Sequence, residues 1–172
     1  MQKLIFIIML LSTLHLQGQE RQSLEQRISQ LFIATDERDW ENLKSIFAEE
    51  VELDYSSMSG NPAAKLSPSQ IIESWKTILP GFSSTHHQIG NFQVEVQDKV
   101  AQVFCYGTAT HYLEDPAGNV WTVVGSYNFQ LKPDQKESWR VSSMRFNYKY
   151  MDGNLSLPQK AMNAVTSGSS NK

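Results

Sequence analysis

The stretch Thr85-His86-His87-Gln88-Ile89-Gly90-Asn91-Phe92-Gln93-Val94-Glu95-Val96-Gln97 decides the fold, because the apolar spacing changes there. Before it, apolar residues recur at three and four; from it to about residue 149 they recur every second residue. Strands are expected at 85–97, 99–113, 120–132 and 138–149. They are joined by Gln97-Asp98-Lys99, by Glu114-Asp115-Pro116-Ala117-Gly118-Asn119 and by Pro133-Asp134-Gln135-Lys136, so four long strands with short turns make an antiparallel meander. Within the first strand the parity conflicts. Phe92, Val94 and Val96 put even positions inward, whereas His87 keeps company with Ile89. A bulge at Gly90-Asn91 would reverse the register, and the pattern alone does not choose between His86 and His87.

Upstream, Leu24, Ile28, Leu31 and Phe32 form a helical stripe that continues onto Thr35 and Asp36. Asp39 is placed to cap a second helix carrying Trp40, Leu43 and Phe47 on one side. Val51-Glu52-Leu53-Asp54-Tyr55 alternates, which sends Tyr55 with the apolar set. A third helix opens with Ser67 as cap, Pro68 in the first turn and Gln70 closing a capping box; Ile71, Trp75, Ile78 and Leu79 are its buried face. Three helices ahead of a curved four- to five-stranded antiparallel sheet give an α+β layer fold with a blind pocket at its wide end. Residues of the second and third strands are apolar at both parities, so the sheet face away from the helices is expected to meet a second subunit.

The chain has 172 residues, 40% hydrophobic and 19% charged, with net charge -3, which fits one globular domain. No Lys/Arg cluster offers a field for nucleic acid or a membrane surface. Met1-Gln2-Lys3 followed by an apolar run from Leu4 to Leu16 and by Gly18 reads as a signal peptide over 1–18, giving a secreted or periplasmic protein with no membrane attachment after cleavage. Its removal takes away Lys3 and no acid, leaving about -4. The domain is expected over 19–153, with 154–172 a flexible polar tail. The single cysteine, Cys105, allows no intrachain disulfide and reads as a small core residue.

Three histidines remain in the mature chain: His86, His87 and His111. His111 follows Val103, Cys105 and Ala109 at even spacing. Ser126 and Asn128 share a strand face with Val120 and Val124. Adjacent strand residues face opposite ways, so His86 and His87 are poorly placed to share a metal ion. Trp121 and Trp139 read as sheet or interface packing.

Asp36-Glu37-Arg38-Asp39-Trp40-Glu41-Asn42-Leu43, Leu53-Asp54-Tyr55, His87-Gln88-Ile89-Gly90, His111 and the pair Ser126 and Asn128 together resemble the scytalone dehydratase family, within the SnoaL-like and nuclear transport factor 2-like superfamily. The resemblance spans about residues 24–148. It implies a cone-shaped α+β barrel of the cystatin-like or SnoaL-like kind, a homodimer or homotrimer through the sheet, and chemistry with neither metal nor organic cofactor. It implies that His87 is the acid/base, that His111 pairs with Asp36, that Tyr55 orients a water or carbonyl oxygen, and that Ser126 and Asn128 hold a substrate hydroxyl. Where the family places a second tyrosine before the aspartate, this chain has Thr35, whose shorter and less acidic hydroxyl either weakens the electrophilic side of the reaction or holds a different substrate. Two functions follow: a cofactor-independent dehydratase or isomerase of a small cyclic hydroxy-ketone, or a non-catalytic module binding a small hydrophobic ligand in the same pocket. Convergence of His87, His111 and Asp36 separates them.

Overall fold

The computed structural model describes the backbone over residues 2–168 and side chains over 18–168. The leader expected over 1–18 therefore lies almost wholly outside the described side chains. Helix α1 runs Gln2–Asp36 and α2 Trp40–Ile46, followed by β1 (Phe47–Asp54), the single turn α3 (Ser56–Ser59) and β2 (Ala64–Leu66). Helix α4 (Pro68–Lys76) and a 3-10 turn at Leu79–Gly81 lead into β3 (Ser84–Gln97), β4 (Val100–Tyr112), β5 (Val120–Pro133), β6 (Trp139–Gly153) and α5 (Leu157–Thr166).

Both expected caps form. Asp39 accepts from the Asn42 N–H at the start of α2. At α4 the Ser67 hydroxyl accepts from the Gln70 N–H while the Gln70 side chain accepts from the Ser67 N–H, which satisfies two orphan donors of the first turn. The four-strand meander is also present, but the sheet is larger than expected. It has six strands in the order β2-β1-β6-β5-β4-β3, curved and unclosed. One pairing is parallel, β1 against β6, where the sequence suggested only antiparallel neighbours. A parallel partner is joined by a long connection, here about half the chain, so no local turn signals it.

The core lies between the helices and the inner sheet face. Leu24, Ile28, Leu31 and Phe32 of α1 pack with Val103, Cys105, Val123, Phe129, Met144 and Phe146. The Cys105 thiol is fully buried, and burial pushes its pKa up to about 12, so it is inert as a nucleophile. Two glycines opposite each other, Gly107 and Gly125, make room for rings on that face. A Cβ on Gly107 would lie 2.4 Å from the Tyr127 ring, and one on Gly125 2.4 Å from the Phe146 ring.

The segment expected as a flexible tail is instead ordered to residue 168, and 169–172 lie outside the described residues. Pro158 in its first turn and the spacing of Leu157 and Ala161, both fully buried, make α5 a helix packed beside Phe82. Gly81 is the contact point, since a Cβ there would meet the Ala161 carbonyl oxygen at 2.0 Å.

Candidate active site

Asp36 is the last residue of α1, where the stripe carries it to strand β3 at the sheet edge. An edge strand leaves backbone groups without ladder partners. The Asp36 carboxylate takes one of them: Oδ2 accepts from the His87 N–H at 2.7 Å. Oδ1 accepts from the Thr85 hydroxyl at 2.9 Å and from His87 Nδ1 at 2.7 Å. Burial alone would raise the Asp36 pKa, but the His87 ring and backbone and the Thr85 hydroxyl outweigh it and hold the carboxyl below its usual value.

The bulge lies where Gly90-Asn91 suggested. Gly90 opposes Tyr106 and Gln93 opposes Phe104, so two residues face Cys105 alone. Asn91 takes φ 56°, a left-handed conformation that Asn tolerates. The bulge lets Thr85, His87 and Ile89 face inward ahead of it and Phe92 and Val94 after it, while His86 is exposed. The His87 ring stacks on Phe32 at 5.0 Å. Because a carboxylate only accepts, the Nδ1 proton belongs to His87, and in the neutral ring Nε2 carries a free lone pair.

His111 does not pair with Asp36, correcting the arrangement the resemblance implied. Its Nδ1 donates to the Trp121 carbonyl at 3.3 Å across the β4–β5 pair. The carboxylate is already engaged by three donors, and in the register His111 stands opposite Thr85. Nor does Asp36 raise its pKa overall. Burial first, then the nearby His87, lower it to about 4, with the Trp121 carbonyl and Asp36 only partly offsetting them. His111 is thus a neutral ring with Nε2 as acceptor. The His87 and His111 rings are 6.1 Å apart, edge to face.

These groups line a cavity of about 180 Å³ with Phe32, Trp75, Tyr127 and Phe146 among its walls. An apolar cavity of about 150 Å³ holds a benzene-sized ligand, so this one has room for a single substituted ring. Thr35 is in the lining, yet its hydroxyl proton is committed to the Leu31 carbonyl at 2.8 Å, leaving it only an acceptor. Tyr55 reaches the lining beside α3, its ring 6.0 Å from Phe146; burial pushes its phenol pKa well up and keeps it protonated. Among the described residues no three His, Cys, Asp or Glu side chains cluster as a metal site would require.

Ser126 and Asn128 are not in the cavity. Odd positions of β4 face inward, and the register pairs them with odd positions of β5, Cys105 with Tyr127 and His111 with Trp121. Asn128 is exposed on the outer face, where it accepts from the Asn147 amide at 2.8 Å. The residues missed from sequence are therefore Trp121 and Tyr127. The parity of β4 across its hairpin was the signal that could have found them.

A family model described as SnoaL-like domain matches residues 18–145, and the chain belongs to that family. No curated protein sequence matches it. Among solved structures it is similar to the Kfla4162 protein of Kribbella flavida, with TM-score 0.76 and 21% identity over 83% of this chain and 98% of that one. It is similar to hexachlorocyclohexane dehydrochlorinase LinA-type3 of Novosphingobium barchaimii LL02, with TM-score 0.67 and 15% identity over 81% and 92%. A protein provisionally named scytalone dehydratase from Novosphingobium aromaticivorans DSM 12444 gives TM-score 0.65 and 18% identity over 78% and 87%. At these identities the likenesses show the fold.

Proposed function

We propose that this protein is a cofactor-independent lyase or isomerase that removes a proton beside the carbonyl of a small cyclic hydroxy-ketone. The observation that carries the reading is the 2.7 Å Asp36–His87 pair opening onto an aromatic pocket of single-ring size. Names among the similar structures, dehydratase and dehydrochlorinase, both denote eliminations, which supports the same class of step.

In this reading His87 Nε2 takes the proton from the carbon next to the carbonyl, and the electron pair moves onto the carbonyl oxygen. Asp36 stabilises the imidazolium so formed. The enolate then re-forms its carbonyl, a carbon-carbon double bond forms, and the β-carbon–oxygen bond breaks. The leaving oxygen takes the proton back from His87 and departs as water. Tyr55 donates to the carbonyl oxygen as it gains charge. His111 Nε2 accepts from the substrate hydroxyl and orients it.

The test is turnover of a panel of cyclic hydroxy-ketones by wild type and His87→Ala. Loss of turnover in the variant supports the role, and equal turnover removes it. Ligand binding without turnover by either protein would favour the binding module, which the largely apolar lining also suits. We further propose export with loss of residues 1–18 and a dimer or trimer through the outer sheet face, where Tyr106 and Val120 are 45% and 39% exposed. The mass of protein recovered outside the cytoplasm and sedimentation of that protein check both.

A further inference from the structure

The cavity holds a second phenol that the mechanism has not used. Tyr127 of β5 is only 4% exposed, yet its hydroxyl has no hydrogen-bond partner among the described residues. Among the described residues, the buried side-chain polar atom that lacks both partner and contact with open space is the Trp121 indole nitrogen, not the Tyr127 oxygen. The Tyr127 hydroxyl therefore opens into the cavity whose wall it forms. The Tyr55 hydroxyl is likewise without a partner. Both rings pack against Phe146, at 4.9 Å for Tyr127 and 6.0 Å for Tyr55, and both line the same cavity, one from β5 and one from the residue after β1.

A buried hydroxyl without a partner costs about 1–3 kcal/mol, so such a group is kept only where something else satisfies it. The fold spends space to keep this one in place: Gly107 is bare where a Cβ would strike the Tyr127 ring. Phe32 separates it from the base, its ring 4.9 Å from Tyr127 and 5.0 Å from His87. Burial, and the neighbouring Tyr55, Cys105 and Asp36, push the Tyr127 pKa far up, so it stays a donor throughout the physiological range. The polar inventory of the cavity is thus divided: acceptors on the His87 and His111 rings and the Thr35 hydroxyl, and two donor phenols, on Tyr55 and Tyr127. Among the described residues no lysine or arginine is in the lining, and the three-fold occupied Asp36 leaves no spare carboxylate there.

We propose that Tyr127 is a catalytic residue that, with Tyr55, forms a two-phenol hole for the oxygen on which negative charge develops, and that the ligand is a neutral single-ring compound bearing one such oxygen. This builds on the elimination reading above by assigning the second donor. Two short hydrogen bonds to a developing oxyanion in a dry site exceed what one donor supplies. With no cation in the lining, phosphate monoesters and carboxylates, whose charge spreads over more oxygens than the two phenols serve, are left without a counter-charge.

The probe is 4-nitrophenol, used as its phenolate in mildly alkaline buffer, against nitrobenzene, the same ring without the oxygen. Wild type should bind the phenolate in preference to nitrobenzene, as read by titration calorimetry and by the visible absorbance of the phenolate. Tyr127→Phe should reduce that preference about ten-fold or more, the loss of one hydrogen bond to a charged oxygen, while binding nitrobenzene as before, which shows that the pocket is intact. Gly107→Ala, which pushes the ring without deleting the hydroxyl, should reduce it as well. An unchanged preference in Tyr127→Phe, or no preference in wild type, overturns the proposal. His87→Ala separates the two readings: if it keeps turnover but Tyr127→Phe loses the phenolate preference, the base assignment fails and the two-phenol hole stands.

Discussion

His87 and His111 sit on adjacent strands of one pocket, and each donates its Nδ1 proton to an oxygen. For His87 the acceptor is the Asp36 carboxylate, and for His111 it is the Trp121 carbonyl. The formal charge on that one acceptor divides their chemistry. A carboxylate favours a positive ring beside it, which is the role the proposed reaction gives Asp36. A carbonyl offers only a dipole, and at 6% exposure His111 is held neutral by burial, its pKa near 4. In the proposed reaction the β3 side of the pocket moves the proton. The β4–β5 side is built to hold a hydrogen bond.

The sharpest way to break this division is to remove each ring in turn. His87→Ala should lower kcat by about 10²- to 10⁴-fold, the usual worth of a positioned acid/base. His111→Gln, which keeps an acceptor, should lower kcat/KM by less than about ten-fold, mostly by raising KM. Steady-state kinetics on a turned-over hydroxy-ketone decides it. Equal losses in the two variants would mean that the histidines act as a unit.

Asp36 should matter for stability as well as rate. Asp36→Ala strands three donors in a largely buried spot, and about 3 kcal/mol should be lost, seen as a lower urea midpoint with unchanged slope. A loss under about 1 kcal/mol would mean that water replaces the carboxylate freely.

pH distinguishes the two sides again, with a smaller effect. The folded pKa of His111 lies below its unfolded value of 6.5, so the unfolded chain binds more protons between 6.5 and about 4. Stability from this group is therefore full above the unfolded pKa and is lost as pH falls through that window. Between about pH 7 and pH 5 the loss from His111 should be about 2 kcal/mol, and His111→Gln should flatten it. Asp36, whose pKa is depressed, loses its contribution only below the usual carboxylate range. Urea titrations of wild type and His111→Gln at the two pH values give the difference, and parallel curves would refute the buried neutral ring.

What was legible in the sequence was local. The Ser67–Gln70 capping box, the Asp39 cap, the meander and the bulge at Gly90-Asn91 depend on residues within a few positions of one another. The inward direction of Asp36, Tyr55 and His111 also followed from periodicity, whereas His87 was chosen over His86 by resemblance. The partner of Asp36 was not legible, because it depends on where the end of α1 meets an edge strand about fifty residues away. The parallel pairing of β1 with β6 is non-local in the same sense. Helix α5 escaped because its polar, small composition hides a two-residue apolar contact, Leu157 and Ala161, that needs Phe82 to have meaning.

Ser126 and Asn128 give the smallest expected effect and the cleanest check on which sheet face is which. The β4–β5 register fixes the answer: with Cys105 and His111 inward, Tyr127 and Trp121 must be inward, and the even residues between them face away. Asn128→Ala should change turnover by less than about two-fold and cost stability only about 0.5–1 kcal/mol for the hydrogen bond to Asn147. Tyr127→Phe, one residue earlier on the same strand, should instead lower kcat about ten-fold or more with little change in melting temperature, because it deletes a donor and leaves the ring packed. If Asn128→Ala is the more damaging of the two, the pocket face of β5 is the even one, and Trp121 and Tyr127 leave the site with it.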